Sequence, residues 1–369
     1  MPHTRIKIVH ILQTAGIGGM EGRIARLARG LDPGLYDISI LTLRPTSGRV
    51  VPLPAGIVPE LVPVSSGLHP RALWALSRRI RKGGFQIVHT HNWSSMFYGV
   101  LAGRLAGVPV VIHGEHGINF GDVSGVSPKR LAAQRFLASL CGSVVTVNQA
   151  MADSVERTWK VPRGKIANIP NGADLQRFRP AGSRNAGGPF VIGAVGRLDK
   201  VKDLFRLLNG FALLRLRHAD RPIRLVLVGH GSEDEALKAE CARLGIADAV
   251  EFAGDCPAPE EWYARFSAFA NTSVSEGMSN TLLEAMACGL PLVASGIEGN
   301  RSWLREDENA LFFPAGDAEA LCGRLEALML RPALAEGMAE RNRKRAEAEF
   351  DNRFFLEKYI GLYRSLLNP

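Results

Sequence analysis

The stretch that decides the fold runs Phe190-Val191-Ile192-Gly193-Ala194-Val195 and continues Gly196-Arg197-Leu198-Asp199-Lys200-Val201-Lys202-Asp203. Its first six residues are apolar or glycine, which is typical of a buried strand. A polar loop follows, and the residues after it have the spacing of a helix. A buried strand, a loop and a helix in this order predict the repeating unit of a parallel sheet flanked by helices.

The same alternation fills the rest of the chain, so the predicted fold class is α/β with two Rossmann-like domains. In the first half the predicted strands are Ile6–Leu12, Ile38–Leu43, Ile87–His91, Val108–His113 and Ser143–Val147. In the second half they are Phe190–Val195, Arg224–Val228, Val250–Phe252, Ala268–Asn271, Leu290–Ala294 and Ala310–Phe312. The segment from Pro332 to Leu367 predicts two consecutive helices that break near Phe350.

Turn-forming residues mark the boundary between the two domains. They concentrate at Pro170-Asn171-Gly172-Ala173-Asp174 and again from Pro180 to Pro189, where the periodicity lapses. We therefore expect one domain over residues 1–180, a second over 181–349, and a final helical segment over 350–369. A length of 369 residues agrees with two domains.

Charge is distributed unevenly between the halves. Residues 1–180 carry 22 Lys and Arg against 9 Asp and Glu, a net charge of +13, whereas residues 181–369 carry 23 against 27, a net charge of −4. A basic half indicates an anionic partner such as a phosphate-bearing substrate, an acidic membrane surface or a nucleic acid, or else only a solubility charge. Aromatic residues make up 7% of the chain and form no stacking motif, which disfavours a nucleic-acid-binding protein.

Cysteine usage and hydropathy indicate a cytoplasmic protein. The five cysteines are an odd number and form no C-x-x-C pair, which predicts reduced thiols without zinc. The first twelve residues lack a small-residue cleavage site, so we expect no signal peptide. Nowhere do eighteen consecutive apolar residues occur, which disfavours a membrane-spanning helix.

Residues just after the strands are the candidates for a ligand site, because open α/β sheets bind ligands at the carboxyl ends of their strands. Arg197 and Lys202 leave one strand and lie five residues apart, so a turn can bring both cations to one phosphate at a helix start. Their expected role is to neutralise the charge of a departing diphosphate.

Two carboxylates follow another strand of the second domain. Glu276 lies in the loop after it, and Glu284 lies about one turn inside the next helix. Between them, the backbone amides from Ser279 through Asn280 to Thr281 can hold a phosphate at the helix start. The two acids are thus placed to accept hydrogen bonds from hydroxylated groups on either side of that phosphate.

A glycine-rich loop follows the first strand of the first domain. Gly16, Gly18 and Gly19 allow a close backbone approach to a diphosphate, but Glu21 occupies the last glycine position of the dinucleotide-binding pattern. No acid ends the second strand either. NAD binding is therefore disfavoured.

Together these elements resemble the retaining glycosyltransferases of family 4, which have the GT-B fold, and the match covers nearly the whole chain. It rests on the Gly18-Gly19-x-Glu21 loop, Arg197 with Lys202, the Glu276-x7-Glu284 signature and the Pro170-Asn171-Gly172 linker. The resemblance implies that Gly19 lies beside the diphosphate or donor sugar and that Arg197 and Lys202 bind the diphosphate. It further implies that Glu276 contacts sugar hydroxyls, that Glu284 holds the ribose, and that the last helix packs back on the first domain.

In that family a histidine after the fourth strand lines the donor sugar. His113 and His116 are both candidates, and we favour His116 because Gly117 follows it, whereas His113 is expected inside the strand. Met278-Ser279 replaces the commoner Phe-Gly, which alters the expected contacts to the donor sugar. The segments Val88-His89-Thr90-His91-Asn92 and His113-Gly114-Glu115-His116-Gly117 resemble transferases of bacterial exopolysaccharide clusters.

The resulting hypothesis is a retaining hexosyltransferase with a UDP-sugar donor, a GDP-sugar being the alternative, and a lipid-linked or oligosaccharide acceptor. The acceptor is expected to bind the first domain, in a cleft that the two domains form. The chain contains no D-x-D motif, so we expect no metal and no cofactor, with Arg197 and Lys202 supplying the charge. The basic segments Arg71–Lys82 and Lys129–Arg135 suggest peripheral contact with the inner face of the cytoplasmic membrane. A sugar-nucleotide epimerase, a phosphorylase or another GT-B enzyme is the alternative.

Overall fold

The computed structural model describes residues 5–16, 18–46, 48–64, 67, 69–117, 126–181 and 188–368. The first four residues and most of the linker expected between Pro180 and Pro189 lie outside the described residues. Within the described part, the chain forms two compact units. Residues up to 117, from 126 to 170 and from 355 onward belong to the first unit, and residues from 171 to 354 belong to the second.

A parallel sheet forms the centre of the first unit. Its described strands are β1 (Ile6–Leu12), β2 (Tyr36–Thr42), β3 (Glu60–Leu61), β4 (Ile87–His91), β5 (Val110–Gly114), β6 (Ser143–Thr146) and β7 (Ile166–Asn168). They lie in the order β3-β2-β1-β4-β5-β6-β7. The described helices before the second unit are α1 (Gly19–Gly30), α2 (Pro70–Gly83), α3 (Asn92–Leu105), α4 (Pro128–Ser139) and α5 (Gln149–Ser154).

The second unit repeats this architecture. Its described strands are β8 (Phe190–Val195), β9 (Ile223–Val228), β10 (Val250–Gly254), β11 (Ala268–Asn271), β12 (Leu292–Ser295) and β13 (Ala310–Phe313), in the parallel order β10-β9-β8-β11-β12-β13. Its described helices are α6 (Leu204–Arg217), α7 (Asp234–Arg243), α8 (Pro259–Tyr263), α9 (Asn280–Ala287), α10 (Glu298–Arg301), α11 (Ala318–Leu330) and α12 (Pro332–Glu349). The predicted α/β class is confirmed.

Each sheet has one point at which its strand order reverses. In the first unit this point lies between β1 and β4, and in the second it lies between β8 and β11. Connections leave such neighbouring strands in opposite directions, which opens a crevice at their carboxyl ends and makes it the preferred ligand site of open sheets. The loops after these four strands are therefore the places to search for function.

Burial explains why the strands form where they do. The central strands are apolar runs that are almost completely buried, for example Ile192 and Ala194 in β8 or Ala268 and Phe269 in β11. Such runs belong to parallel sheets that are covered on both faces. Helix α5 is short, because a π-helical turn over Val155–Trp159 follows it and ends at Lys160 with φ 59°.

The last described helix, α13 (Asn352–Leu367), returns to the first unit. Phe355, Tyr359 and Tyr363 lie buried on its inner face and pack against β1, β4 and β5. Arg23 of α1 is 2% exposed, and its Nη2 donates to the Ile169 carbonyl at 2.7 Å and to the Tyr359 hydroxyl at 3.0 Å. Its guanidinium also lies 4.9 Å from the Phe355 ring centroid, so one buried cation joins α1, the end of β7 and α13.

Replacing Arg23 by alanine is expected to lower the free energy of unfolding by about 3 kcal/mol, because it leaves a cavity and leaves the Ile169 carbonyl and the Tyr359 hydroxyl without their donor. Urea titration followed by circular dichroism measures the change. Arg29→Ala is the matched control on the same helix, since Arg29 is exposed and is expected to cost less than about 0.5 kcal/mol. Equal losses in the two variants would contradict this role for Arg23.

The domain boundary expected at residue 180 lies earlier in the structure, between Pro170 and Asn171. Asn171 Nδ2 donates to the Met278 carbonyl at 2.9 Å, and the Ala173 amide donates to the Phe350 carbonyl at 2.7 Å. These bonds attach the Asn171–Asp174 turn to the second unit. The segment over 350–369 is also divided, because residues up to 354 remain with the second unit.

None of the described helices is both long enough and apolar enough to cross a membrane. All five cysteines are free thiols, and four of them are buried. Burial raises the pKa of the Cys141 thiol to about 12 and that of Cys241 to about 11. These two thiols are therefore poor nucleophiles at neutral pH.

Candidate active site

Glycines bring the ends of β8 and β9 into direct contact. Gly196 and Gly229 have φ values of 142° and 132°, a region that only glycine adopts without strain. A Cβ on Gly229 would overlap with the carbonyl oxygen of Gly196. This close approach fixes the path of the loop that carries Arg197 and Lys202.

Arg197 and Lys202 line one cavity together with Asn271, Thr272 and Ser273. The Arg197 side chain is 60% exposed, and its Nη1 lies 2.9 Å from Asp199 Oδ2. Lys202 ends a short 3-10 turn, Lys200–Lys202, and α6 begins after it at Leu204. Both cations line this cavity, and their binding of one anion stays a prediction.

Lys202 pairs directly with Glu276. Its Nζ lies 2.6 Å from Glu276 Oε1, and both side chains are largely buried, at 22% and 13% exposure. Burial raises the pKa of the Glu276 carboxyl, but the charge and hydrogen bond of Lys202, with bonds from two further side chains, outweigh it and leave the pKa below its usual value. The carboxylate is therefore ionised at neutral pH.

A buried polar network behind Glu276 holds its carboxylate in place. Oε1 also accepts from the Ser273 hydroxyl at 2.7 Å and from Asn271 Nδ2 at 3.4 Å. The Asn271 oxygen in turn accepts from Asn300 Nδ2 at 3.2 Å. On the other side, a Cβ on Gly299 would overlap with the Glu276 carbonyl oxygen. The strand end β11 and the helix α10 thus both position this acid.

Helix α9 begins at Asn280, as predicted, and Ser279 is its N-cap. The Ser279 hydroxyl accepts from the Leu282 amide at 3.5 Å and lies 3.1 Å from the Thr281 hydroxyl. A helix start of this kind directs backbone amides and the positive end of the helix dipole outward, which favours a phosphate group.

Glu284 lies one turn into α9 and pairs with a residue that the sequence did not indicate. The fully buried Tyr263 of α8 donates its hydroxyl to Glu284 Oε2 at 2.9 Å. Burial, followed by the charge of Glu284, raises the pKa of the Tyr263 hydroxyl well above its usual value, so the hydroxyl stays a donor. This bond fixes the orientation of the Glu284 carboxylate.

In the first unit, α1 begins at Gly19, directly after Gly18 at its N-cap. A Cβ on Gly18 would overlap with the Glu21 carboxylate. The acid that replaces the last glycine of the dinucleotide pattern therefore lies against the glycine loop itself.

Five histidines gather near the ends of β1, β4 and β5. His113 lies within β5, as expected, and its Nδ1 is 2.8 Å from the Thr90 hydroxyl. His116 follows the strand, and its Nε2 lies 2.8 Å from His91 Nδ1. The remaining two, His10 and His89, are completely buried in β1 and β4.

Two family models match successive parts of the chain. Residues 17–177 match the family described as Glycosyltransferase Family 4, and residues 176–345 match Glycosyl transferases group 1. The chain is a family 4 glycosyltransferase. The predicted family and the predicted enzyme activity are confirmed.

Curated relatives of this family 4 glycosyltransferase extend over nearly its whole length. D-inositol 3-phosphate glycosyltransferase 1 of Catenulispora acidiphila is 25% identical and covers 95% of this chain and 91% of its own. D-inositol 3-phosphate glycosyltransferase of Corynebacterium urealyticum is 28% identical, with coverages of 96% and 92%.

Solved structures place the family 4 glycosyltransferase in the GT-B fold. Anabaena Alr3699/HepE in complex with UDP has a TM-score of 0.82 at 18% identity, covering 98% of this chain and 100% of its own. Sucrose-phosphate synthase from Thermosynechococcus elongatus has a TM-score of 0.80 at 20% identity, with coverages of 98% and 99%. The GT-B prediction is thereby confirmed.

Proposed function

We propose that the chain is a retaining, metal-independent hexosyltransferase that moves a sugar from a UDP-sugar to a lipid-linked or oligosaccharide acceptor. The observation that carries the proposal is the arrangement of Arg197, Lys202 and Glu276 at the ends of β8 and β11. Two cations complement a diphosphate, and an ionised carboxylate accepts hydrogen bonds from sugar hydroxyls.

The Lys202–Glu276 pair suggests how the donor is recognised. The two side chains neutralise each other, with Lys202 Nζ 2.6 Å from Glu276 Oε1. The diphosphate of the donor forms an ion pair with the ammonium group of Lys202, while hydroxyl groups of the sugar donate hydrogen bonds to the carboxylate of Glu276. A nucleotide sugar thus contacts both members of the pair, whereas a free nucleotide contacts Lys202 alone.

Charge neutralisation by protein cations supports a reaction without a metal. Arg197 and Lys202 line the same cavity. Preorganised cations at a leaving group lower the activation free energy of such reactions by several kcal/mol. Turnover is therefore expected to persist after dialysis against EDTA. A loss of activity that Mg²⁺ or Mn²⁺ restores would refute this part of the proposal.

Retention of the anomeric configuration is proposed through front-side displacement. The departing phosphate helps to deprotonate the acceptor hydroxyl, so no carboxylate nucleophile is required. Proton NMR of the product, recorded early in the reaction, distinguishes the two outcomes. A product with the inverted anomeric configuration would contradict the proposal.

A uridine nucleotide is the proposed carrier, with a guanosine nucleotide as the alternative. The likeness to Anabaena HepE, which has been solved with UDP and with UDP-glucose, supports this choice. The base is tested directly in the donor screen described below, and Glu284 is assigned to the ribose hydroxyls.

Tyr263→Phe is expected to weaken UDP binding by roughly 5- to 10-fold, because the Glu284 carboxylate loses the hydrogen bond that orients it. Isothermal titration calorimetry measures the affinity, and 2′-deoxyuridine diphosphate serves as the second ligand. If Glu284 holds the ribose, the variant loses less affinity for the deoxy analogue than for UDP. Tyr98→Phe is the control, since that hydroxyl donates to a loop carbonyl of the first unit.

Two acceptor classes deserve a direct comparison. The basic first unit supports an anionic lipid-linked acceptor, while the relatives named for D-inositol 3-phosphate favour a phosphorylated cyclitol. Both acceptors carry phosphate, so the positive charge of the first unit does not favour one acceptor class over the other.

Peripheral membrane contact is proposed through α2. Trp74 is 63% exposed on this helix, and the Arg78 guanidinium lies 5.4 Å from its ring centroid. Arg79 is paired with Glu60, and Arg81 donates to the Leu105 carbonyl, so these two cations are already engaged. Trp74→Ala is expected to reduce sedimentation with anionic vesicles at low salt, whereas unchanged sedimentation would remove α2 from the proposal.

The deciding experiment is a screen of UDP- and GDP-sugars against lipid-linked saccharides, oligosaccharides and inositol 3-phosphate, with the released nucleotide and the product both measured. We expect turnover with a UDP-hexose and one acceptor class. Interconversion of sugar nucleotides without an acceptor would instead establish an epimerase. Orthophosphate-dependent cleavage of a saccharide would establish a phosphorylase.

A further inference from the structure

Backbone hydrogen bonds on both sides of Leu198 join the loop after β8 to the loop after β9. The Leu198 amide donates to the His230 carbonyl at 3.2 Å, and the Glu233 amide donates to the Leu198 carbonyl at 2.9 Å. A Cβ on Gly231 would overlap with the Leu198 carbonyl, so glycine is required for the two loops to lie this close. The backbone of the loop after β8 is therefore fixed at this point.

The Asp199 carboxylate, one residue further along, also bridges the two loops. Its Oδ1 accepts from the amide and from the hydroxyl of Ser232, both at 3.2 Å. Its Oδ2 lies 2.9 Å from Arg197 Nη1. One oxygen of the carboxylate is thus attached to the loop after β9, and the other forms an ion pair with a cation of the candidate site.

We propose that Asp199 is a positioning residue that holds the Arg197 guanidinium at the cavity before the donor diphosphate binds, and that Ser232 fixes Asp199. The inference rests on the function proposed above, in which Arg197 binds the diphosphate. It adds two residues to that contact, and one of them lies on the loop after β9, for which the sequence predicted no role.

Arg197 needs such a partner because its side chain is long and 60% exposed. Among the described residues, Asp199 is the one that forms an ion pair with it. Ordering a long side chain at the moment of binding weakens the binding by roughly 2- to 10-fold. The other cation of the cavity, Lys202, is held in a comparable way by its ion pair with Glu276. Each cation of the site therefore has a carboxylate of its own.

The ion pair leaves most of the guanidinium available to a ligand. An arginine carries five N–H donors in a planar fork, and Asp199 lies against Nη1. Within the described part of the chain, Nε and Nη2 of Arg197 have no hydrogen-bond partner. The described residues that line the cavity include Arg197 but not Asp199. The remaining donors can therefore bind phosphate oxygens while the pair with Asp199 persists.

Electrostatic inhibition of anion binding is the competing interpretation of the pair. A carboxylate beside an anion site repels a diphosphate, and removal of Asp199 would then strengthen the binding. The two hydrogen bonds from Ser232 favour the positioning role, because they fix the carboxylate and so define one orientation for the guanidinium of Arg197. The two interpretations predict opposite changes in affinity.

The first experiment measures the order of the Arg197 side chain and needs no ligand. Proton–nitrogen relaxation of the full chain labelled with ¹⁵N-arginine gives an order parameter for each Nε–H bond, and the spectrum of Arg197→Ala assigns the signal. We expect the order parameter of Arg197 to fall in Asp199→Asn, which keeps an oxygen for Ser232 but loses the charge. Asp220→Asn is the matched control, since Asp220 is exposed in the turn before β9. An unchanged order parameter in Asp199→Asn would overturn the proposal.

A double-mutant cycle tests the consequence for binding, with titration calorimetry of UDP as the measurement. Asp199→Asn is expected to weaken UDP binding by roughly fivefold, and Ser232→Ala by roughly twofold. In the Arg197→Ala background, Asp199→Asn is expected to have no further effect, because the side chain that it positions is absent. Tighter binding in Asp199→Asn would establish electrostatic inhibition, and an equal loss in the Arg197→Ala background would make Asp199 a purely structural residue. Either result overturns the proposal.

Failure of the function and failure of the positioning role give different results. If neither UDP nor GDP binds to the wild-type chain, the proposed function fails, while the relaxation data still decide whether Asp199 orders Arg197. If UDP binds equally well to the wild-type chain and to Asp199→Asn, the positioning role fails and the function stands. Thermal unfolding of each variant verifies that it is folded.

Discussion

Replacing Lys202 by alanine is expected to lower kcat/KM for the nucleotide-sugar donor by roughly a thousandfold. The variant removes the cation that faces the leaving diphosphate, a preorganised contact of the kind worth roughly 10²–10³ in rate. It also leaves the buried Glu276 carboxylate without the ammonium group 2.6 Å away, so this acid holds the sugar less well. Steady-state release of the nucleotide measures the loss.

Lys200→Ala is the matched control, because Lys200 belongs to the same 3-10 turn but is exposed to solvent. Lys202→Arg keeps the charge and is expected to recover part of the rate. Thermal unfolding of each variant separates loss of fold from loss of function. Wild-type turnover in Lys202→Ala would remove this residue from the site and with it the central argument for the function.

Mild acid is expected to destabilise the protein strongly. Burial lowers the pKa of His10 to about 3, and it lowers the pKa of His89 and of His91 well below the usual value. In the unfolded chain these residues take up protons as the pH falls through about 6.5, while in the folded chain they do not. The stability contribution is thus complete above the unfolded pKa and is lost as the pH falls toward the folded pKa.

At pH 5.5 each such histidine lowers the free energy of unfolding by about 1.4 kcal/mol relative to neutral pH, and the three together lower it by about 4 kcal/mol. That is a large share of the roughly 5–15 kcal/mol that stabilises an ordinary domain. Urea titrations between pH 7.5 and 5.5 measure the slope of the free energy of unfolding against pH. His10→Gln is expected to reduce the slope by about one proton, and the exposed His230→Gln controls for the loss of an imidazole. A slope unchanged by His10→Gln would contradict this explanation.

The sequence predicted the strands best where they are buried on both faces. The runs Ile6–Leu12, Ile87–His91, Phe190–Val195 and Ala268–Asn271 were predicted with the bounds that the structure gives. Continuous apolar runs between turn residues carry this signal. Strand β3 was missed because Glu60 and Leu61 are both exposed, so no hydrophobic pattern marks them.

The site was predicted as separate residues rather than as a network. Arg197, Lys202, Glu276 and Glu284 stood out because charged side chains follow apolar strands. Tyr263 did not, since an aromatic residue in a short helix looks like an ordinary core residue, and its partner is 21 positions away. Pairing of distant side chains depends on strand order, which the sequence pattern does not specify.

Helix α13 has a consequence for how the protein can be synthesised and divided. The hydrophobic surface of β1 and β4 that Tyr359 and Tyr363 cover belongs to the first unit, yet these tyrosines leave the ribosome only after the whole second unit has been translated. During translation this surface of β1 and β4 is exposed to solvent. A chaperone that binds apolar segments of nascent chains is expected to bind it. Expression of residues 1–170 alone is expected to give an aggregation-prone fragment, which co-expression of α13 rescues.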